Sequence, residues 1–352
     1  MQTVEPITST AVVVPRLGGP EVLEVRPWEV SAPGPDEVRV RVDAAGISFA
    51  DLLVMQGVHP ERRKPPFVPG WDVVGEVDSV GSGVDHVAVG DRVAGLSIVG
   101  GWAEHVIVPG FRVVRVPASV EPVAAVCLVM DYVVAYQMLT RSAAVQAGDA
   151  VLIQGAGGGV GTALMQLAAT MDVRVLGTDR EAKREHLEAA GATLIDFETE
   201  DVVGRCRELT GGRGVEAAFD GIGTTAAASL GAVRRGGTLV WFGMVNFLSG
   251  GRRDVASIAK TLATVMSVFG RNLVPGGKRT TVYSIQRLAE KHPGWYQEDL
   301  SLLLSMLAEG RIRPQIAAEW TLEDVPAAVA GLAHGALAGK QVINLARRHG
   351  SG

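Results

Sequence analysis

The period of the hydrophobic positions changes twice along the chain. Up to about residue 130, short Val-rich segments alternate apolar with polar positions and are cut by Gly, Pro and Asp. They are "AVVVP" from Ala11, "EVRVRVDAAGI" from Glu37, "DVVGEVDSVG" from Asp72, "DRVAGL" from Asp91 and "AEHVIVP" from Ala103. A period of two between turn residues predicts a compact antiparallel β domain. From about Asp131 to Arg271, apolar runs alternate with helical patterns, and strands are expected at 151–154, 173–177, 193–197, 215–220, 238–242 and 267–270. Alternation of that kind predicts an α/β, doubly wound parallel sheet. Past Arg271 come polar residues, an amphipathic helix around 297–309 and a closing strand at 341–345, which return to the first domain. The expected domains are 1–130 plus 272–352, and 131–271.

Composition narrows the classes. A chain of 352 residues that is 47% hydrophobic can bury a large core in about two domains. A net charge of -5 without long basic runs argues against nucleic acid or an anionic membrane as a partner. Cys127 and Cys206 alone build neither a disulfide framework nor a zinc knuckle. The start "MQTVEPITST" lacks a basic region followed by an apolar core, so a cytoplasmic location is expected. The longest apolar run, 123–135, is too short to span a bilayer and contains Asp131.

The densest signal is "AVLIQGAGGGVGTALMQLAATMDVRVLGTD", from Ala150 to Asp179: a strand, a glycine turn, a helix and a second strand. Ala156, Gly158 and Gly161 stand at A-x-G-x-x-G spacing. In such a turn the first two leave room for a tight bend and a close approach to a pyrophosphate, and the third lets helix and strand pack closely. Gly159 and Val160 complete the helix start, whose free N–H groups and dipole suit an anion. Ligands of doubly wound sheets lie at the carboxyl ends of strands, which adds Gly221 and Gly223 after the fourth strand and Phe242, Gly243 and Met244 after the fifth.

Seven segments in order then resemble one family: "GGPEVLEV" from Gly18, "AAGISFADLLVMQG" from Ala44, "PPFVPGWDVVGEVDSVGSGV" from Pro65, "VGDRVAGL" from Val89, "GGWAEHVIVP" from Gly100, "GAGGGVG" from Gly155 and "FDGIG" from Phe219. Together they resemble the medium-chain dehydrogenase/reductase superfamily, and within it the zinc-free quinone oxidoreductase branch. The resemblance implies a GroES-like β-rich domain beside a Rossmann dinucleotide-binding domain, and a homodimer joined through the last strand of the nucleotide sheet, here 267–270.

The zinc-dependent branch of that superfamily has a Cys after the G-[IV] of the second segment and a His in a G-H-E motif. This chain has Ser48 and Gly70-Trp71-Asp72 there, and it lacks the four-cysteine lobe. A Ser and a Trp cannot replace a thiolate and an imidazole, so no metal is expected. Hydride delivery to an already electrophilic quinone or enone remains. The quinone oxidoreductase branch usually has Asn where Ser48 stands, near the nicotinamide, and a hydroxyl keeps only one of the amide's donors. Asp51 and Asp72 are the candidate acids of the first domain; the resemblance makes Asp51 largely a structural or supporting residue, and Asp72 reads at least equally as a hydrogen-bonded turn carboxylate. The resemblance also sets Asp131-Tyr132 at the cleft, making Tyr132 the first candidate proton donor and Ser48 the second. His59 and His105 read as surface or strand residues.

Asp179, 18 residues past Gly161, stands where an acid bonds the ribose 2′-OH, which favours NAD(H). Arg180, Lys183 and Arg184 follow at once, and their charge-assisted bonds to a 2′-phosphate favour NADP(H), the expected cofactor. The alternatives are a natural-product tailoring enoyl reductase and a non-catalytic relative that keeps the fold.

Overall fold

The computed structural model describes residues 5–243, 268–270, 272, 274, 276–332 and 337–346. The chain divides into two compact units, Met1–Val133 with Ile285–Gly352, and Val134–Ser284.

The first unit is antiparallel wherever its β segments follow the period-two pattern. A ribbon of β1 (Ile7–Val13) and β2 (Glu24–Val30) stands apart from a larger sheet. That sheet contains β3 (Glu37–Ile47), β4 (Asp72–Val80), β5 (Arg92–Leu96), β6 (His105–Pro109) and β7 (Val113–Arg115), closed by two strands from the far end of the chain, described below. The eleven-residue β3 organises it. One side of β3 pairs with β4, and the other pairs with β6 at its start and with the closing strand at its end. The helix Phe49–Met55 leaves the end of β3 and buries Leu52, Leu53, Val54 and Met55.

The second unit is a six-stranded parallel sheet. It is built from β8 (Ala150–Gln154), β9 (Arg174–Asp179), β10 (Thr193–Asp196), β11 (Val215–Asp220), β12 (Val233–Trp241) and β13 (Arg279–Val282), in the order β10-β9-β8-β11-β12-β13. Leu152, Leu176, Ile195, Ala218 and Leu239 are fully or almost fully buried among the crossover helices. Such near-continuous apolar strands are what a sheet covered on both faces requires.

Two expectations are corrected. The strand expected at 267–270 is absent, because the described residues Val268–Gly270 are helical. The sixth strand is β13, so the second unit runs to Ser284 and the return begins at Ile285 rather than at 272. The return consists of the helices Ile285–Lys291 and Pro293–Ala308, then β14 (Ile316–Trp320) and β15 (Lys340–Asn344), the two strands that close the first unit's sheet. The apolar run that seemed to end at 135 is part of one helix, Pro122–Ser142, with π-type turns at Leu128–Tyr132 and Met138–Ser142. By length and composition it could cross a membrane, but 72% of its most apolar window is buried inside the protein, as in a core helix.

Candidate functional site

The second unit presents the nucleotide turn. Gly155 has φ +69°, a conformation that only glycine adopts without strain, and it bends the chain out of β8. Ala156 is fully buried, and its N–H bonds Thr178 O at 3.0 Å. At Gly161 an added Cβ would lie 2.4 Å from Ala156 O, so close packing of helix on turn excludes a side chain there. Gly158 differs, since among the described residues an added Cβ would meet only Gly155 O, at 3.5 Å. The helix Gly159–Thr170 starts there, capped by Gly158 with no side-chain bond. The N–H groups of Gly159, Val160 and Gly161 fall in its first turn, where no intrahelical acceptor exists. An open cradle in front of free donors fits a dinucleotide pyrophosphate.

A buried polar chain holds the strand ends behind the turn. The Thr178 hydroxyl donates to Gln154 Oε1 at 2.6 Å, Gln154 Nε2 donates to Ser229 Oγ at 3.0 Å, and the Ser229 hydroxyl donates to Asp220 Oδ2 at 2.6 Å. Asp220 Oδ1 accepts the N–H groups of Ile222 and Gly223. Gly221 and Gly243 are needed by each other: an added Cβ at Gly243 would lie 2.4 Å from Gly221 O, and one at Gly221 would strike the Phe242 ring. Their presence is therefore explained by packing without a nucleotide. Met244 lies outside the described residues.

The acids and bases expected at the ribose are engaged with one another. Asp179 Oδ2 accepts Gly157 N–H and Oδ1 accepts Arg180 N–H, each at 2.9 Å, and Lys183 Nζ lies 3.7 Å from Oδ2. Arg180 donates through Nε to Glu198 Oε1 at 2.9 Å and lies over the Phe197 ring. Arg184 is paired with Glu181 and Glu188, away from the turn.

The first unit brings together a different set. Ser48 caps the helix Phe49–Met55 in a reciprocal box with Asp51. Ser48 N–H and the Ser48 hydroxyl both donate to Asp51 Oδ2, at 2.9 and 2.7 Å, while Gly70 N–H donates to Oδ1 at 2.9 Å. Asp51 is 1% exposed, and burial, with the nearby Asp72 carboxylate adding, pushes its carboxyl up to about 7. Asp72 is no turn carboxylate, which corrects the sequence expectation. It opens β4 fully buried, with Lys340 Nζ 2.9 Å from Oδ2 and a further 3.4 Å from Asp131 Oδ1. The Asp72 contact is an ion pair without aligned hydrogen bonding, and among the described residues its Oδ1 has no hydrogen-bond partner. Burial raises the Asp72 carboxyl and Lys340 opposes the rise. Burial also pulls the Lys340 ammonium down, but Asp131 and Asp72 more than offset it.

Tyr132 sits in the π-type turn, 2% exposed, its phenol pushed well above the usual range by burial and the nearby Cys127 and Asp131. Trp71, at the second metal-ligand position, is 5% exposed and meets the His59 ring edge-on at 5.3 Å. Among the described residues no group of three His, Cys, Asp or Glu could hold a metal ion. Lys340 is the residue that sequence reasoning missed. The available signal was a lysine at the head of the apolar run "QVINL", in a strand that must be buried.

Residues 34–118 match the alcohol dehydrogenase GroES-like domain family, and residues 159–288 match the zinc-binding dehydrogenase family. The chain is 32% identical to the human synaptic vesicle membrane protein VAT-1 homolog over 313 residues, 86% of this chain and 77% of that one. It is 31% identical to the quinone oxidoreductase-like protein 2 homolog of Nematostella vectensis over 95% of this chain and 88% of the relative. The chain belongs to the medium-chain dehydrogenase/reductase superfamily, in its quinone oxidoreductase-like branch. Its fold agrees with that of Escherichia coli quinone oxidoreductase, solved in complex with NADPH, with a TM-score of 0.83 and 27% identity over 95% of this chain and 99% of that one. As a medium-chain dehydrogenase/reductase, the chain carries the helix that starts at Gly159 within the zinc-binding dehydrogenase match, which begins just after Ala156 and Gly158 of the turn. It carries Ser48 and Trp71, the two departures from the zinc pattern, within the GroES-like match.

Proposed function

We propose that this protein is a zinc-independent, NAD(P)H-dependent oxidoreductase that delivers hydride to a quinone or an enone. The observation that carries the reading is the open cradle at Gly158 before the free N–H groups of Gly159, Val160 and Gly161. The reduced nicotinamide supplies the hydride when bound. Without a Lewis acid, the acceptor must already be electron-poor, and the oxygen that gains the displaced electron pair needs a hydrogen-bond donor. Tyr132 and Ser48 are the candidates, and the burial of Tyr132 shifts the balance toward Ser48. NADPH is the proposed donor, supported by the NADPH complex of the Escherichia coli relative. The engagement of Arg180 and Lys183 with carboxylates narrows its margin over NADH. A nucleotide-binding relative without turnover remains the alternative, since a relative named for the synaptic vesicle membrane and not for a reaction is also near.

Replacement of Gly158 by Val adds a side chain at a position where a Cβ meets only Gly155 O among the described residues, so the variant is expected to fold and to lose nucleotide affinity by about a hundredfold, about 2.8 kcal/mol. Isothermal titration with NADPH and NADH checks this, and undiminished affinity for both in a folded variant would sink the assignment. Elemental analysis is expected to find no stoichiometric zinc, because Ser48 and Trp71 stand at the ligand positions. One tightly held zinc per chain would overturn the mechanism.

A further inference from the structure

Asp51 is one of three carboxylates buried near each other in the first unit, and among the described residues Lys340 is the ammonium beside them. Lys340 is already committed to Asp72 and Asp131, both 4% exposed or less, and among the described residues no cation pairs with Asp51. What Asp51 has instead are three donors: two on Oδ2 from Ser48 and one on Oδ1 from Gly70. An added proton on Oδ2 leaves both backbone N–H groups satisfied, since each oxygen still accepts one. Only the 2.7 Å contact to Ser48 Oγ must change, because two hydroxyl hydrogens cannot occupy one line. The neutral carboxyl becomes the donor there, and Ser48 Oγ the acceptor. The Ser48 hydrogen is then released from Asp51 and free to turn elsewhere.

We infer that Ser48 and Asp51 form a two-proton relay, in which neutral Asp51 releases the Ser48 hydroxyl to donate to the acceptor oxygen and the ionised carboxylate locks it back. The relay rests on the reductase reading above. The step balances: the acceptor carbon gains hydride from the reduced nicotinamide, which is oxidised, and the conjugated oxygen gains the displaced electron pair. Ser48 gives its proton to that oxygen and takes the Asp51 Oδ2 proton in the same movement. Asp51 is left as a carboxylate and regains a proton from water through Ser48, which at 7% exposure is the less buried member. Desolvation holds the Asp51 carboxyl near neutrality, at about 7, which suits a group that must both give and regain a proton. The groups that face it are Asp72 from β4, with Lys340 from β15 and Asp131 from the helix Pro122–Ser142 beyond. His59 meets Trp71, the residue between Gly70 and Asp72, edge-on.

Two measurements on the full-length protein test the relay separately from the reductase reading. Infrared difference spectra of wild type against Asp51→Asn read the protonated carboxyl directly, without cofactor. A carboxyl band present at pH 6, lost by pH 8.5 and missing from the variant is expected. If Asp51→Asn fails to fold, Ser48→Ala serves as the reference, since it keeps Asp51 and shifts the band by removing its hydroxyl partner. The second measurement is the pH profile of kcat/KM with NADPH and either 1,4-benzoquinone or cyclohexenone. Wild type is expected to lose activity as Asp51 ionises, and Ser48→Ala to fall about a hundredfold at pH 6, with a flat profile and unchanged NADPH affinity. No carboxyl band at pH 6, or a Ser48→Ala variant within a few-fold of wild type and with the same alkaline fall, overturns the relay. If wild type reduces neither acceptor while the band titrates as expected, it is the reductase reading that fails and the hydrogen-bond reversal that stands.

Discussion

The most consequential side chain for cofactor choice is Asp179, because it does two things at once. On the proposed reading it stands where an acid would meet a ribose 2′-OH, and Lys183, a candidate partner for a 2′-phosphate, lies 3.7 Å from it. Removing its charge therefore acts twice in the same direction. Asp179→Asn is expected to raise NADPH affinity relative to NADH by about tenfold, or about 1.4 kcal/mol. Arg180→Ala should weaken NADPH selectively, and paired titrations with both nucleotides measure each change. An unchanged ratio in both variants would mean that the discriminating contacts lie elsewhere. At this scale the sequence was partly legible. The turn residues are local, and local spacing is what a sequence displays; the S-x-x-D box of Ser48 and Asp51 is as local and went unread. Lys340 was not legible as a partner, because Asp131 lies 209 positions away and the topology that joins them crosses the entire nucleotide unit.

The elements were legible where their period was long and clean, and they failed at one edge. The run "TLATVMSVFG" is apolar without a clear period, so it reads equally as a strand or a helix. The true sixth strand, "RTTV", is short and polar and follows "PGGK". As the outer strand it has a consequence for assembly. Tyr283 N–H bonds Trp241 O, so the backbone groups of Thr281 also face β12, while those of Thr280 and Val282 face outward. The Asn272 carboxamide brackets both outward groups of Thr280, accepting from its N–H at 2.7 Å and donating to its O at 2.9 Å. That arrangement shortens an otherwise open edge. A homodimer built by continuing this sheet would thus pair mainly at Val282. Val282→Pro removes an outward N–H without touching the β12–β13 ladder, and it is expected to convert a dimer into a 36.9 kDa monomer by light scattering at micromolar concentration. A wild type that is monomeric under those conditions would remove this mode of assembly.

The whole molecule carries a pH signature from its buried charges. Asp51 titrates at about 7 folded against 3.8 unfolded, and Asp72 is shifted in the same direction. Between those values these two groups hold more protons folded than unfolded, so their contribution to stability falls as pH rises from about 4 to about 7 and levels off above, against the opposite slope of His59, His105 and His186, which burial shifts down. Urea denaturation should find wild type losing more stability between pH 5.5 and pH 8 than Asp51→Asn does. In Lys340→Met the two remaining carboxylates lose their counter-ion, at a cost of about 3–5 kcal/mol at pH 8. The cost shrinks at pH 5, where Asp72, already shifted up by burial, can accept a proton, and a loss that did not depend on pH would point to packing alone. The same lysine bears on how the chain comes into being. The nucleotide unit is one unbroken stretch, Val134–Ser284, whereas the other waits for Ile285 onward. During vectorial synthesis Asp72 and Asp131 emerge long before β15 brings their cation and the edge that completes β3. The unit that starts first must therefore finish last, and a nascent chain stalled before Lys340 is expected to hold a protease-resistant nucleotide unit on an N-terminal segment that is still open to cleavage.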